Sequence, residues 1–348
     1  MLLRGLAGWG EFSPFWDYDD AAAVKWLDCA IEQANGAWPD PVRDNIPVNV
    51  IVPAVTPEKA RELVLNSGGC RTAKVKVANR HAAASPRSGR RTQNPESTVE
   101  SIDIEVARIA AVRAALDEAF GPGMGKIRVD ANGAWSVSQA VEHLRELNNV
   151  AGGLEYAEQP CATVEELAEL RQALKVAKVD VLIAADESIR RAADPYRVKE
   201  LNAADIVVLK VAPLGGVQAN LDLAAEIGLP VVVSSALESS IGLTAGLALA
   251  GALPELPFAC GLATSALLVH DVVAEPLLPV DGELPVLRAD DSRLNPLAAS
   301  SNTEQVLSAG PVNSDGAALN TDQQLQARWR ARLNAVQSKA NSAAAAEF

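Results

Sequence analysis

From about residue 49 the chain alternates two kinds of segment. Short apolar runs, VNVIVPAV, TAKVKVA, KIRVDANGAW, GLEYAEQP, VLIAADES, DIVVLKVAP, PVVVSSALES and FACGLAT, are separated by stretches of helical periodicity such as TPEKARELVLNSG, SVSQAVEHLRELN, TVEELAELRQAL and GGVQANLDLAAEIG. Apolar runs this short, rich in Val and Ile, read as strands buried on both faces, and strands that alternate with helices imply a parallel sheet. Eight such units fit an α/β fold of the closed (β/α) TIM type better than an open sheet, and place the barrel over residues 46–282. Ser136, Ser138 and Thr163 stand where helix N-caps are needed.

Three regions leave this rhythm. Residues 1–45, with GWGEFSPFWDYDD ahead of the helix-like DDAAAVKWLDCAIEQA, hold four of the six tryptophans and predict part of a small α+β domain, with 283–297 packing nearby. Residues 79–101, NRHAAASPRSGRRTQNPESTVES, form a long polar segment with clustered Arg87, Arg90 and Arg91; it reads as a solvated loop or as a basic flap beside an anionic substrate. Residues 298–324, rich in Ser, Asn, Ala and Gly, predict a flexible linker, and 325–348 a short helix (LQARWRARLNAV) with a disordered tail.

Composition narrows the function. A chain of 348 residues that is 49% hydrophobic can bury a large core. Its net charge of −13 argues against nucleic acid or an anionic membrane as partner. The four cysteines form no CxxC and read as reduced thiols. With no apolar run of membrane-spanning length, these features predict a soluble, cytoplasmic protein.

The candidate chemistry lies at the C-terminal ends of the predicted strands, where barrels of this type build their sites. Successive strands end on Lys74 and Lys76, Asp130 and Asn132, Glu158, Asp186 and Glu187, Lys210, Ser234 and Ser235, and Gly261 and Thr264. Asp130, Glu158 and Asp186 are 28 residues apart in each step, and Lys210 follows 24 later, about one strand-helix unit each time. A lone acid ending a strand is often only a cap or a salt bridge. Three acids at one level of a buried mouth would repel one another unless paired or bound to metal. An oxygen-only set, with His81, His143 and His270 all off the strand ends, favours Mg²⁺, with Mn²⁺ as a substitute. Lys76 and Lys210 sit four strands apart, facing across the ring, and alternation points Lys74 inward with Lys76. A neighbouring cation, a metal and partial burial would lower a lysine's pKa and make it a base, able to take a proton next to a carboxylate. Glu187 and Asn132 stand where they would orient ligands.

KVK, RVDANGAW, EYAEQP, AADES and VVLK, together with GWGEFSPF near the start, resemble the enolase superfamily and within it the muconate-lactonizing subgroup. The resemblance implies a modified barrel with a capping domain, and a lysine base working with Mg²⁺. By that resemblance Asp130, Glu158 and Asp186 would hold Mg²⁺, Lys76 would be the general base and then the acid, and Lys210 would stabilise an enediolate from the other face. Lys74, Arg128, Asn132, Ser234 and Gly261 would belong to the substrate-binding groups, with Glu187 behind them. The implied substrate is a small anionic carboxylate. The implied reaction is syn-dehydration of 2-succinyl-6-hydroxy-2,4-cyclohexadiene-1-carboxylate to 2-succinylbenzoate, in menaquinone biosynthesis. An N-acylamino acid racemase or dipeptide epimerase with the same two lysines is the alternative, and a catalytically degenerate metal-binding barrel a second. Little precedes GWGE, where a capping domain of this kind has strands, so a shortened N-terminus is also expected.

Overall fold

The structure is a computed structural model that describes residues 1–36, 38–79, 100–288, 290–297 and 317–346. The chain opens with an antiparallel hairpin of β1 (Leu2–Arg4) and β2 (Trp9–Glu11), then α1 (Ala23–Asn35) and β3 (Asn45–Pro47). The predicted alternation follows as β4 (Asn49–Val52), α2 (Pro57–Leu65), β5 (Thr72–Lys76), α3 (Ile102–Phe120), β6 (Lys126–Asp130), α4 (Val137–Ala151), β7 (Tyr156–Glu158), α5 (Val164–Ala177) and β8 (Ile183–Ala185). It continues through the single turns α6 (Glu187–Arg190) and α7 (Arg197–Glu200), then β9 (Ile206–Lys210), α8 (Val211–Leu214), α9 (Val217–Ile227), β10 (Val231–Ser234) and α10 (Ser240–Ala252). The chain ends with β11 (Glu283–Pro285), antiparallel to β3, and α11 (Ala317–Ala346). Among the described residues no helix is long and apolar enough to cross a membrane.

Strands β4 to β10 form one parallel seven-stranded sheet in sequence order. Because successive side chains point to opposite faces, each strand divides its residues between two environments. Ile127 and Val129, Val207 and Leu209, and Val231 and Val233 join the main core with Leu144 and Leu147 of α4 and Leu167 and Leu170 of α5. Tyr156, Ala184, Ile206, Val208 and Val232 form a separate cluster on the other face, closed by Phe258. The sheet curls about this inner cluster. Cys260 bridges Val48 just ahead of β4, and Gly261 bridges Ser234 of β10, so one short segment touches both edges. The backbone bonds run from Asn49 N to Cys260 O (2.9 Å) and from Gly261 N to Val233 O (2.8 Å).

The eighth apolar run, FACGLAT, was expected as a strand and forms none of its own. It makes those two single bridges and turns into a 3-10 helix at Ala263–Leu267. Pro257 ahead of it removes a donor, and Gly261 marks a close approach, since a Cβ there would meet Ser234 Oγ at 2.6 Å.

Ser136 and Thr163 each complete a capping box with the residue three positions on, Gln139 and Glu166. The expected helix near the C-terminus is longer than its apolar pattern suggested, since α11 begins inside the segment expected as linker and runs into the segment expected as tail. The basic loop with Arg87, Arg90 and Arg91, His81, and residues 298–316 of the expected linker lie outside the described residues.

The N-terminal hairpin and α1 dock on the sheet-bearing unit through buried polar groups. Glu11 of β2 accepts from Ser239 N and Gly242 N (both 3.1 Å) at the start of α10. Gln33 of α1 donates to Thr244 Oγ1 at 2.7 Å and accepts from Glu11 N at 3.0 Å. The hairpin lies so close to α1 that a Cβ on Gly10 would stand 2.0 Å from the Ala30 carbonyl oxygen. Gly10→Ala is therefore expected to cost about 2–3 kcal/mol by overpacking, read as a lower urea midpoint; an unchanged midpoint would show that hairpin and helix can separate freely.

Candidate active site

The inner face of the curled sheet changes character along its strands. Toward their N-terminal ends it is apolar around Tyr156, Ile206 and Phe258. Toward their C-terminal ends it carries Lys74 and Lys76 on β5, Asp130 on β6, Glu158 on β7, Asp186 just after β8 and Lys210 on β9. Register sets the level, because Lys76 lies beside Asp130 and Asp130 beside Glu158. The order across the sheet is therefore lysine, acid, acid, acid, lysine, with the two outer lysines four strands apart.

All three acids are withdrawn from solvent, and each is held by ammonium or guanidinium groups. Lys76 Nζ donates to Asp130 Oδ2 at 2.5 Å and to Asn132 Oδ1 at 2.8 Å. Lys74 Nζ donates to both Glu158 oxygens, at 2.9 and 3.0 Å, and lies 3.4 Å from Asp130 Oδ2. Lys210 Nζ donates to Asp186 Oδ2 at 2.6 Å, and Arg190 Nε to Asp186 Oδ1 at 2.9 Å. The three lysines differ in access: the side chain of Lys76 is 33% exposed, that of Lys210 12% and that of Lys74 6%. Lys76 also borders an open cavity of about 560 Å³ lined by Ala54, Asn79, Asn132 and Ala162.

The electrostatics follow from burial and from these partners. Burial pushes the Glu158 carboxyl up to about 7, with the charges of Asp130 and Asp186 adding to it and Lys74 opposing. Burial acts the same way on Asp130, but Lys76 and Lys74 together outweigh it and hold the group below the usual carboxylate range. Asp186 is lowered in the same manner by Lys210 and Arg190. At Lys74 the expected downward shift is reversed, because Glu158 and Asp130 outweigh the burial that would favour the neutral amine.

Other residues singled out from the sequence fall at different levels. Asn132, with a positive φ of 47°, joins Lys76 to Glu187, donating to Glu187 Oε1 at 3.2 Å. Ser234 and Gly261 face each other at the edge of the sheet. Arg128 points away from the acids: it donates to Glu155 (2.5 Å), Asn49 Oδ1 (3.1 Å) and the Ala259 carbonyl (2.7 Å), all at the N-terminal ends of strands, and stacks on the Tyr156 ring. It thus supports the floor of the site and does not line its mouth. Glu238 is buried and accepts from Ser235 Oγ and Ala236 N.

Two residues that the motif reading passed over also hold the site. Gln159 accepts from Asp186 N (3.0 Å) and Ser188 N (3.1 Å), which ties β7 to the turn carrying Asp186. Its place beside Glu158 in EQP was the available signal. Arg190 stands one helical turn after Asp186, and that spacing could have flagged it.

The donor chemistry of Asp130, Glu158 and Asp186 fits a hard divalent cation, all three being carboxylates with no thiol or imidazole beside them. Among the described residues no three acid, His or Cys side chains stand close enough together to hold an ion as they are, since each acid here is turned to its lysine or arginine.

Residues 56–290 match the family described as Enolase C-terminal domain-like, and residues 1–34 the one described as Enolase N-terminal domain-like. The chain belongs to the enolase superfamily. Its relatives include the o-succinylbenzoate synthase of Thermobifida fusca (strain YX), 56% identical over 292 residues, which are 84% of this chain and 82% of that one. The o-succinylbenzoate synthase of Mycolicibacterium smegmatis is 51% identical over 300 residues, 86% of this chain and 83% of that one. Among solved structures, the muconate lactonizing enzyme from Pseudomonas fluorescens complexed with muconolactone superposes with a TM-score of 0.60 at 24% identity, covering 78% of this chain and 73% of that one. The L-Ala-D/L-Glu epimerase from Bacillus subtilis does so with a TM-score of 0.57 at 24% identity, over 74% of this chain and 68% of that one. At these identities the structural likeness is one of fold.

Lys74→Met would leave Glu158 buried without its counter-charge, so at pH 8 in chelator it is expected to destabilise the protein by about 3–5 kcal/mol. Urea unfolding measures this, and a wild-type midpoint would show that Lys74 does not carry the compensation.

Proposed function

We propose that this chain catalyses the o-succinylbenzoate synthase reaction: loss of water from 2-succinyl-6-hydroxy-2,4-cyclohexadiene-1-carboxylate to give 2-succinylbenzoate, a step of menaquinone biosynthesis in the cytoplasm. The observation that carries the reading is the pair Lys76 and Lys210, four strands apart with three buried carboxylates between them. Identities of 48–56% to relatives of that name support the choice of substrate. We further infer that the scaffold is a TIM-type barrel over residues 46–282, with the Cys260–Gly261 segment closing the ring between β4 and β10, and that residues 1–45 with 283–297 form its cap.

In this reading Asp130, Glu158 and Asp186 hold Mg²⁺, or Mn²⁺ in its place. When bound, the cation supplies positive charge beside the substrate carboxylate and so acidifies the adjacent C–H bond. Lys76 pairs with Asp130 in the structure and acts as the base once released from that carboxylate. As the free amine it takes the proton from the carbon next to the substrate carboxylate. The same ammonium then gives the proton to the hydroxyl leaving from the same face; the C–O bond breaks, the ring becomes aromatic, and water departs. Lys210, on the other face, sets its charge against the enediolate. Ser234 and Gly261 border the succinyl arm, and Lys74 and Asn132 the carboxylate end. Arg128 acts only through the floor of the site.

Lys76→Ala and Lys210→Ala are each expected to lower turnover about 10³-fold while leaving the far-UV spectrum of the wild type. Dehydration measured on the cyclohexadiene substrate should stop in EDTA and return with Mg²⁺. Indifference to chelation would overturn the metal assignment. Deuterium exchange of an N-succinyl amino acid in D₂O without any dehydration would replace the reading by a racemase, and an inactive wild type with Mg²⁺ present would replace it by a binding protein.

A further inference from the structure

Arg190 touches the proposed ligand Asp186 through one nitrogen only. A guanidinium beside a carboxylate often takes both oxygens in a bidentate fork. Here the other two nitrogens are occupied: NH2 donates to Glu187 Oε1 at 2.6 Å, and NH1 to the Tyr18 hydroxyl at 2.5 Å. Arg190 therefore keeps to Asp186 Oδ1, and Oδ2 remains turned to Lys210. Tyr18 comes from the segment between β2 and α1, so a residue far from Asp186 in the chain holds one arm of the guanidinium that touches it.

That segment is itself held from a third place. On α11 the residues Leu325, Trp329, Arg332 and Val336 follow one helical face, of which Arg332 and Val336 are buried. Arg332 NH2 donates to the Tyr18 carbonyl at 2.6 Å, and its NH1 to the Pro14 carbonyl at 3.4 Å. The Trp329 ring lies 4.4 Å from that of Trp16, with the Arg328 guanidinium 3.7 Å from the centre of the Trp16 ring. The neighbouring Arg191 stacks on the Tyr18 ring at 4.5 Å and pairs with Asp17 at 2.5 Å. α11 lies outside both segments that match the enolase families, residues 1–34 and 56–290.

We propose that α11 is an intramolecular clamp for the cation site, with Arg332, Tyr18 and Arg190 as positioning residues in series. Arg332 and Trp329 fix the 16–18 segment; Tyr18 then holds one arm of Arg190; Arg190 in turn stays on a single oxygen of Asp186. Without the clamp one arm of the guanidinium is released, and the group can turn further onto Asp186 and compete with the cation. The inference rests on the reading of Asp186 as a metal ligand, and it adds that the C-terminal helix sets the affinity of that ligand.

The test is Mn²⁺ binding to the metal-stripped, full-length protein without substrate, followed by the EPR signal of free Mn²⁺. Arg332→Met and Tyr18→Phe are each expected to weaken binding about 10-fold, the low end for groups that act on a ligand from outside. The double variant should be no weaker than the weaker single one, since both break one chain of contacts. Trp329→Ala, which removes the stack and leaves the hydrogen-bonding groups in place, is the second route and should weaken binding in the same sense. Wild-type affinity in Arg332→Met and Trp329→Ala, both folded by far-UV CD, overturns the clamp, and so do fully additive losses in the double variant. A wild type that takes up no Mn²⁺ overturns both the clamp and the metal reading. A coupled loss of Mn²⁺ affinity in a protein without dehydratase activity supports the clamp and overturns only the proposed reaction.

Discussion

The structure turns on how three buried carboxylates are tolerated at one level of one sheet face. Two unit charges about 4 Å apart repel by about 4 kcal/mol at an effective dielectric of about 20, and burying each ion adds a cost of its own. Asp130, Glu158 and Asp186 escape this because Lys74, Lys76 and Lys210 stand on the strands that flank them and give each acid a short charge-assisted contact. The strand order thus has an electrostatic meaning. Acids on β6, on β7 and after β8 require cations on β5 and β9, and the register places them within reach.

In the proposed mechanism the amines that balance the acids are also the groups used in proton transfer. Lys74 is the deepest and is tied to Glu158 by both oxygens, which suits a fixed counter-charge. Lys76 is the most exposed of the three and sits at an open cavity, which suits a group that must meet a substrate. In the proposed reading, a cation that takes over the neutralisation of the acids would also release the lysines. Charge balance and the proposed catalysis would therefore be coupled through the same pairs.

The backbone around these pairs is held by contacts that lie outside the mouth. Arg108 of α3 donates to the Lys76 carbonyl at 3.1 Å and to the Val55 carbonyl at 2.7 Å, and is itself paired with Glu100. Glu105 accepts from Ala78 N at 2.6 Å. The backbone on which Lys76 ends is thereby fixed from the helix layer, as Gln159 fixes that of Asp186 and Arg128 fixes the floor. Buried polar groups satisfied in this way favour one arrangement over near alternatives, because an unpaired group in any of them would be costly.

From the chain alone, alternating apolar runs and helical stretches predicted eight parallel strands, of which seven form in that order, and the 28-residue spacing of Asp130, Glu158 and Asp186 placed them on successive strands. Those are local properties: side-chain period and unit length are written in adjacent residues. Other features needed contacts between distant segments. FACGLAT reads as a strand, but it makes only two single bridges, where Gly261 approaches Ser234 closely. Arg128 was expected at the site from the family resemblance, yet Glu155 and the Ala259 carbonyl draw it to the opposite end of the sheet. The lysines read as candidates for lowered pKa, but the direction at Lys74 was set by which acids its neighbours bring near. The join of Tyr18 to Arg190 and of α11 to Tyr18 spans most of the chain and follows no sequence period. Periodicity reports which face a residue takes; only packing in three dimensions decides which charge it meets there.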